Sequence, residues 1–247
     1  MNKKPIIVYW APAAFSPEQE SWNSLYQEPS SVSKDFYHLL QKGSSSLKCP
    51  AAKDFLHNVF SLDSTITNTF EFPDNLLKKA YQSNEPRFQL DVDSLVAILK
   101  VRENQINNYI NLKYNMSWLF FAKEDLNMRY SAPYFPATNP IKDSVFAGGV
   151  FNIGKWFRPL NLEYYVPVTA KSFRVKEGEP LAFMEFETDR PIVFKRFIMN
   201  NKIAEMANES TLTSGFEMFK NLNQRYSFFS KTGMRDVILS EIEKNLV

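Results

Sequence analysis

The stretch 147–197, AGGVFNIGKWFRPLNLEYYVPVTAKSFRVKEGEPLAFMEFETDRPIVFKRF, constrains the fold more than any other part of the chain. A Gly pair at 148–149 opens a strand. A Trp-Phe-Arg-Pro turn leads to a second strand, a Lys-Glu-Gly-Glu-Pro turn to a third and an Asp-Arg-Pro turn to a fourth. Gly and Pro punctuate runs of β-branched and aromatic residues, the chemistry of turns between strands. The pattern predicts consecutive antiparallel strands over 149–197 in one sheet or barrel. Turns are expected near 155–159, 176–180 and 189–191, with no helix within 160–186. The chain holds 22 Phe and 11 Tyr, and such residues favour pleated, half-buried surfaces. Three of its seven Gly fall at 148, 149 and 154. No helix pattern follows them, so they read as a turn into a strand and not as a phosphate loop.

Upstream, residues 5–10 form a β-branched and aromatic strand ended by Ala11-Pro12. Ser33 caps a short helix over 34–41 that Gly43 stops, and Pro50 sits in the first turn of a second over 51–57. Residues 58–62 and 65–72 read as strands joined by Asp63-Ser64. A short helix is expected over 73–81, a strand over 87–92, and helix or strand over 93–101. The segment 104–114 is Asn-rich and polar, 116–121 is a buried apolar strand, and 128–130 is a short strand before the Pro-rich loop SAPYFPATNP.

After Asn200-Asn201 the apolar period changes. Ile203, Met206 and Ala207 suit a helix, as do Phe216, Phe219, Leu222 and Tyr226. Gly233 separates a last helix in which Val237, Ile238, Ile242 and Leu246 make one buried stripe. The reading is a single α+β domain over 1–247, with an antiparallel β core, β-clip or jelly-roll-like, mainly at 116–200. Short helices precede the core and C-terminal helices follow at 202–247.

A formal charge of +2 gives no electrostatic case for nucleic-acid binding. The lone Cys49 excludes an internal disulfide. No apolar run has transmembrane length, and the run 6–10 is too short for the core of a signal peptide. The two His, His38 and His57, begin no H-x-D or H-x-x-x-H pattern, and with one Cys they cannot build a transition-metal site without heavy use of carboxylates. No metal and no cofactor is therefore expected. G-x-S-x-G, Walker and G-x-G-x-x-G motifs are missing, so no catalytic residue is assigned.

Three constellations remain. In Trp156-Phe157-Arg158-Pro159 an Arg beside two aromatics suits stacking on a ring or pairing with a carboxylate. The plainer reading packs the aromatics on opposite sides of a strand end. Glu185, Glu187 and Asp189 lie two apart, so a strand places them on one face. That face is either a cation site or a cross-strand salt-bridge ladder, with Arg190, Lys195 and Arg196 near in sequence. Tyr130, Tyr134 and Phe135 belong to the Pro-rich loop, as a protein-contact patch or as a lid on the core.

The runs FNIGKWFRPLNLEY, VKEGEPLAFMEFETD, EIEKNLV and LKCPAAKDFLHNVF resemble proteins encoded by tailed phages of marine bacteria. This resemblance carries no known activity. More distantly, Gly149-Val150-Phe151-Asn152, Trp156-Phe157-Arg158-Pro159 and Lys176-Glu177-Gly178-Glu179-Pro180-Leu181-Ala182-Phe183 resemble the strand order of the dUTPase-type β-clip. That family's sugar-contacting Asp is Asn152 here, its turn Gly is Pro159 and its Gln is Phe183. Its phosphate motifs are missing, with only Ser131-Ala132-Pro133-Tyr134 where one is expected. The resemblance implies the scaffold and not the hydrolysis.

The expected function is that of a non-catalytic phage protein, a virion component or a host-interaction factor, located in the virion or the host cytoplasm. It would work through protein partners or self-assembly, without membrane or nucleic acid. The alternatives are a nucleotide- or small-molecule-binding enzyme on a dUTPase-like scaffold and a carbohydrate-binding β module that presents Trp156 or Trp118. The candidate binding residues are Asn152, Trp156, Arg158, Tyr134 and Phe135.

Overall fold

The computed structural model describes residues 3–13, 26–34, 36, 50–64, 67–71, 99–106, 108–134, 144–212 and 221–247. Its organising element is a long strand, β6 (Tyr109–Ala122), preceded by β1 (Ile6–Pro12), β2 (Ser30–Ser31), β3 (Val59–Asp63), β4 (Asn68–Glu71) and β5 (Leu99–Ile106). Ile110, Leu112, Tyr114, Met116, Trp118, Phe120 and Ala122 alternate along β6 and enter one core. From Met116 onward the residues between them, Ser117, Leu119 and Phe121, are buried as well. A strand covered on both faces needs a continuous apolar run, and MSWLFFA supplies it.

After β6 come β7 (Asn127–Ser131), β8 (Val145–Phe146), β9 (Gly149–Asn152), β10 (Leu160–Pro167), β11 (Ser172–Val175), β12 (Pro180–Phe186) and β13 (Ile192–Arg196). A six-stranded sheet has the order β13-β1-β6-β10-β8, and β5 also pairs with β6. A five-stranded sheet has the order β2-β3-β12-β7-β9, and β4 pairs with β11 in a separate ribbon. One core joins the two larger sheets, with Val8, Trp10, Leu162 and Tyr164 from the first and Leu62, Met128, Ala182 and Met184 from the second. The chain is thus of the α+β class with a β core.

The expected run of neighbouring antiparallel strands over 149–197 is not what forms. The strands and their turns are present, and 160–186 holds no helix. None of β9 to β13, however, pairs with the next. β9 joins β7, β10 joins β6, β11 joins β4, β12 lies between β3 and β7, and β13 lies beside β1. The reason lies in the connections. Two-residue turns make hairpins, whereas the longer segments Ile153–Pro159 and Glu187–Pro191 carry the chain from one sheet to the other. The core is also not purely antiparallel, because β1 and β13 run parallel. Strands from outside 116–200 hold central places, β1 in one sheet and β3 in the other.

The polar reading of 104–114 is corrected as well. It contains the end of β5 and the first half of β6, joined at a turn where Asn108 has φ 65°. Asn tolerates this left-handed conformation and marks a hairpin turn. Ile110, Leu112 and Tyr114 alternate with half-exposed or polar positions, a pattern hidden by the surrounding Asn residues.

Of the expected N-terminal helices, α1 (Pro50–Phe55) is formed, and residues 32–34 and 36 are helical. The expected helix at 73–81, the strand at 87–92, most of 93–101, and Phe216 and Phe219 lie outside the described residues.

Among the described residues three helices follow β13: α2 (Asn201–Leu212), α3 (Leu222–Lys231) and α4 (Met234–Glu243). The Asn200 side chain caps α2 by accepting from the Ile203 N–H at 2.8 Å. Ile203, Met206 and Ala207 of α2 and Ile238, Leu239 and Ile242 of α4 pack on Tyr9, Ala11, Leu119 and Phe121. These are the outward-facing positions of β1 and β6, so helices cover that face of the six-stranded sheet. Gly233, at φ 66°, separates α3 from α4 as expected.

The expected C-terminal stripe is half corrected. Ile238 and Ile242 are buried, but Val237 is 49% exposed and Leu246 is 38% exposed. Positions 238, 239 and 242 define the buried arc of α4, which ends before Leu246. Beyond the helix the chain returns to the sheet, where Leu246 bridges Phe197. The Val247 N–H donates to the Arg196 carbonyl at 3.1 Å. Leu222 and Tyr226, read as helical, lie in α3, where Leu222 is exposed at the first position.

Candidate functional site

The connection from β9 to β10 lies against α3 and the start of α4. Its shape begins with Asn152, whose side-chain Oδ1 accepts from the Gly154 N–H at 3.1 Å and closes a tight turn. Gly154 is required by close approach. A Cβ there would run into the Glu124 carbonyl oxygen. The Gly154 carbonyl accepts from Arg235 Nε at 2.8 Å, which fastens the turn to α4. The Asn152 N–H donates to the Tyr226 hydroxyl at 2.7 Å, which fastens β9 to α3. The N-terminus of α3 is closed by a capping box in which Asn221 and Gln224 exchange side-chain and backbone bonds.

Trp156 and Phe157 diverge from this turn. Phe157 is buried and packs edge-on to Phe121, with ring centroids 5.0 Å apart. Trp156 remains half-buried among Phe151 at 5.5 Å, Tyr226 at 6.4 Å and the Arg158 guanidinium at 4.8 Å from its ring centre. Arg158 therefore stacks on its own neighbour's indole, a contact worth about 0.5–2 kcal/mol. Burial, and then the nearby Arg225 charge, hold Arg158 below the usual arginine range. Among the described residues no carboxylate pairs with Arg158 or Arg225. Trp156 Nε1 is buried without an acceptor.

Beside this cluster is a cavity of about 380 Å³ lined by Asp125, Lys155, Phe229, Ser230, Gly233, Arg235 and Asp236. Asp125 is gripped by Lys155 and Arg235. Burial pushes its carboxyl up, but the hydrogen bonds from Lys155 and Arg235 outweigh this and lower it overall. These cations are committed to Asp125, while Arg158 and Arg225 are not. The helix α3 borders both regions, through Arg225 and Tyr226 on one side and Phe229 and Ser230 on the other.

The structure thus brings Asn152, Trp156 and Arg158 together, with Asn152 acting in the turn. Tyr134 lies elsewhere. It packs edge-on to Phe183 at 4.8 Å and beside Phe55 at 5.2 Å, and 41% of it remains exposed. Phe135 lies outside the described residues. Trp118 is buried in the core against Tyr26, so it offers no face to a sugar. The carboxylate row is a cross-strand ladder whose cation is Arg129 on β7, 3.8 Å from Glu185 and 3.9 Å from Glu187. Arg190 instead meets Glu124 at 2.6 Å, and Asp189 meets Lys3.

Arg225, Tyr226, Phe151 and Asp125 were missed in the sequence. Phe151 stood in the run 149–152 and Tyr226 was an aromatic on a predicted helix, but the role of its hydroxyl is invisible without the tertiary contact. Among the described residues no group of three or more His, Cys, Asp or Glu is placed to hold a metal ion. Nor, among the described residues, is any helix long and apolar enough to cross a membrane. No protein-family model matches this chain, and no match is found among curated proteins or solved structures.

Proposed function

We propose that this chain is a non-catalytic interaction protein of the tailed-phage kind its sequence resembles, either a virion component or a factor directed at a host protein. The observation that carries this reading is helix α3. None of its residues is buried, yet it is firmly built, with a capping box at its start and a hydroxyl bond to β9. It leaves Phe228 46% and Leu222 37% exposed. A rigid surface helix that presents large apolar side chains beside unpaired cations is suited to a protein contact. The jelly-roll-like reading of the core belongs to the same proposal and rests on one core shared by two sheets.

The enzyme alternative has less support. Asn152 stands where the dUTPase-type family has its carboxylate, and its oxygen is already engaged by Gly154. The carbohydrate alternative needs an open indole face, but Trp118 is buried and Trp156 lies under Arg158.

The test is a photo-crosslinking amino acid at position 228 in phage-infected cells, with position 195 as control. The expected result is a cross-link from 228 alone to one virion or host protein, with the chain recovered in purified particles in the virion case. Magnesium-dependent release of pyrophosphate from a deoxynucleotide, lost on Arg158→Ala, would overturn the proposal.

A further inference from the structure

We infer that the Trp156–Arg158–Arg225–Tyr226 cluster receives the carboxylates of an acidic peptide segment on the partner protein; this rests on the interaction reading above. Arg158 stands in the β9–β10 connection and Arg225 on α3, near enough for the Arg225 charge to act on Arg158, and among the described residues neither has a carboxylate. Arg158 is held against the Trp156 ring at 4.8 Å. Its orientation is therefore fixed before any ligand arrives, which lowers the entropic cost of binding. The Tyr226 hydroxyl accepts from Asn152 and keeps its own proton to donate. Trp156 Nε1–H is a third kind of donor, buried and without an acceptor. It has no solvent-exposed surface in this structure, so it reports on a ligand seated against the cluster and does not itself bond one. Every free group in the cluster is a donor, so the complementary ligand is an acceptor with negative charge.

The choice of a peptide over a nucleic acid follows from what the cluster lacks. A base needs an open aromatic face, but Arg158 covers Trp156, and Phe151 and Tyr226 pack around it. A nucleic-acid backbone needs a track of cations, whereas Lys155 and Arg235 are spent on Asp125. Two free guanidiniums match one or two carboxylates. Along α3, Leu222 and Phe228 stand three residues to either side of Arg225, on the same exposed stripe. An acidic segment with interspersed apolar side chains matches both features.

The test is fluorescence polarisation of the full chain with a labelled dodecapeptide of Glu, Asp and Leu. Arg225→Ala and Arg158→Gln should each weaken binding about tenfold or more, the effect of losing a charge-assisted hydrogen bond. Lys195→Ala, an exposed cation on β13, should change it less than about twofold. The Trp156 indole N–H resonance, identified by its loss in Trp156→Phe, should shift when peptide is added. Arg225 lies on a helix without buried residues, so its variant reports even if the Arg158 variant does not fold. Equal loss in Lys195→Ala, a silent Arg225→Ala, or tighter binding of a single-stranded oligonucleotide or of inorganic phosphate overturns the inference. A chain that cross-links from position 228 but ignores the peptide sinks this inference alone. Nucleotide turnover sinks the interaction reading itself.

Discussion

The Tyr226 hydroxyl lies 2.7 Å from the Asn152 backbone nitrogen and accepts its hydrogen bond. This one bond ties the edge strand β9 of the five-stranded sheet to helix α3. It also sets the distance between Trp156, which packs against the Tyr226 ring, and Arg225, the next residue along the helix. A side chain from the last fifth of the chain thus holds the candidate site in register.

Tyr226→Phe keeps the ring and removes the acceptor. The Asn152 N–H is then left part-buried and unpaired, at a cost of about 1 kcal/mol. The loss should be local first. Hydrogen exchange is expected to rise at Asn152 and along α3 while β6 and β10 stay protected. Exchange that rises uniformly across both sheets would show that the bond supports the whole fold and not the docking of one helix.

Gly154→Ala tests the turn that positions Trp156. The added Cβ meets the Glu124 carbonyl, which is backbone and cannot swing away as a flexible side chain would. Overpacking of this kind costs about 1–3 kcal/mol, read as a lower urea midpoint. Gly178→Ala makes the contrast. No atom lies within 4 Å of a Cβ there, and the strain comes instead from φ +76°. A Gly154→Ala protein as stable as the wild type would mean that the β6–β7 connection, which carries Glu124, and the turn separate readily.

Much of the fold was legible because the strands obey local rules. The run 116–121 announced a buried apolar strand, and Pro50, Asn200 and Gly233 marked helix boundaries that the structure keeps. The pairing of strands was not legible. Gly and Pro say where a strand ends, but not whether the next one lies beside it or in the opposite sheet. The partners of β12 are β3 and β7, and nothing between residues 149 and 197 encodes them. Half of the site was legible for the same reason. Trp156 and Arg158 are two apart and met through the turn, whereas Arg225 and Tyr226 arrive through tertiary contact.

The two sides of α4 should respond differently to truncation. Ile238→Ala empties a fully buried position against the outer face of the six-stranded sheet and is expected to cost about 2–5 kcal/mol. Val237→Ala, half exposed one residue earlier, should fall within about 0.5 kcal/mol of the wild type. Deletion of α4 and the residues after it uncovers Leu119 and Phe121 and should cause aggregation. Equal costs at 237 and 238 would show that α4 is rotated in solution relative to this packing.

Glu241 makes the last expectation, about pH. It is buried on α4 and bonded to Lys202 at 3.0 Å, to Asn200 at 3.1 Å and to Lys244 at 3.3 Å. The Lys202 and Asn200 hydrogen bonds lead in lowering its carboxyl from the ordinary 4.5 to about 2, against an opposing push from burial. A carboxylate depressed in the folded state binds its proton more readily once unfolded. Its contribution is therefore complete above pH 4.5 and is lost as the pH falls toward 2. Other carboxylates titrate in the same window, so the informative quantity is the difference between wild type and Glu241→Gln. The wild type should be the more stable at neutral pH, by an amount that shrinks steadily through this window. Urea midpoints measured along the pH series check it. A difference that stays constant down to pH 2 would mean that Glu241 joins α2 and α4 through hydrogen-bond geometry alone, with no share from its charge.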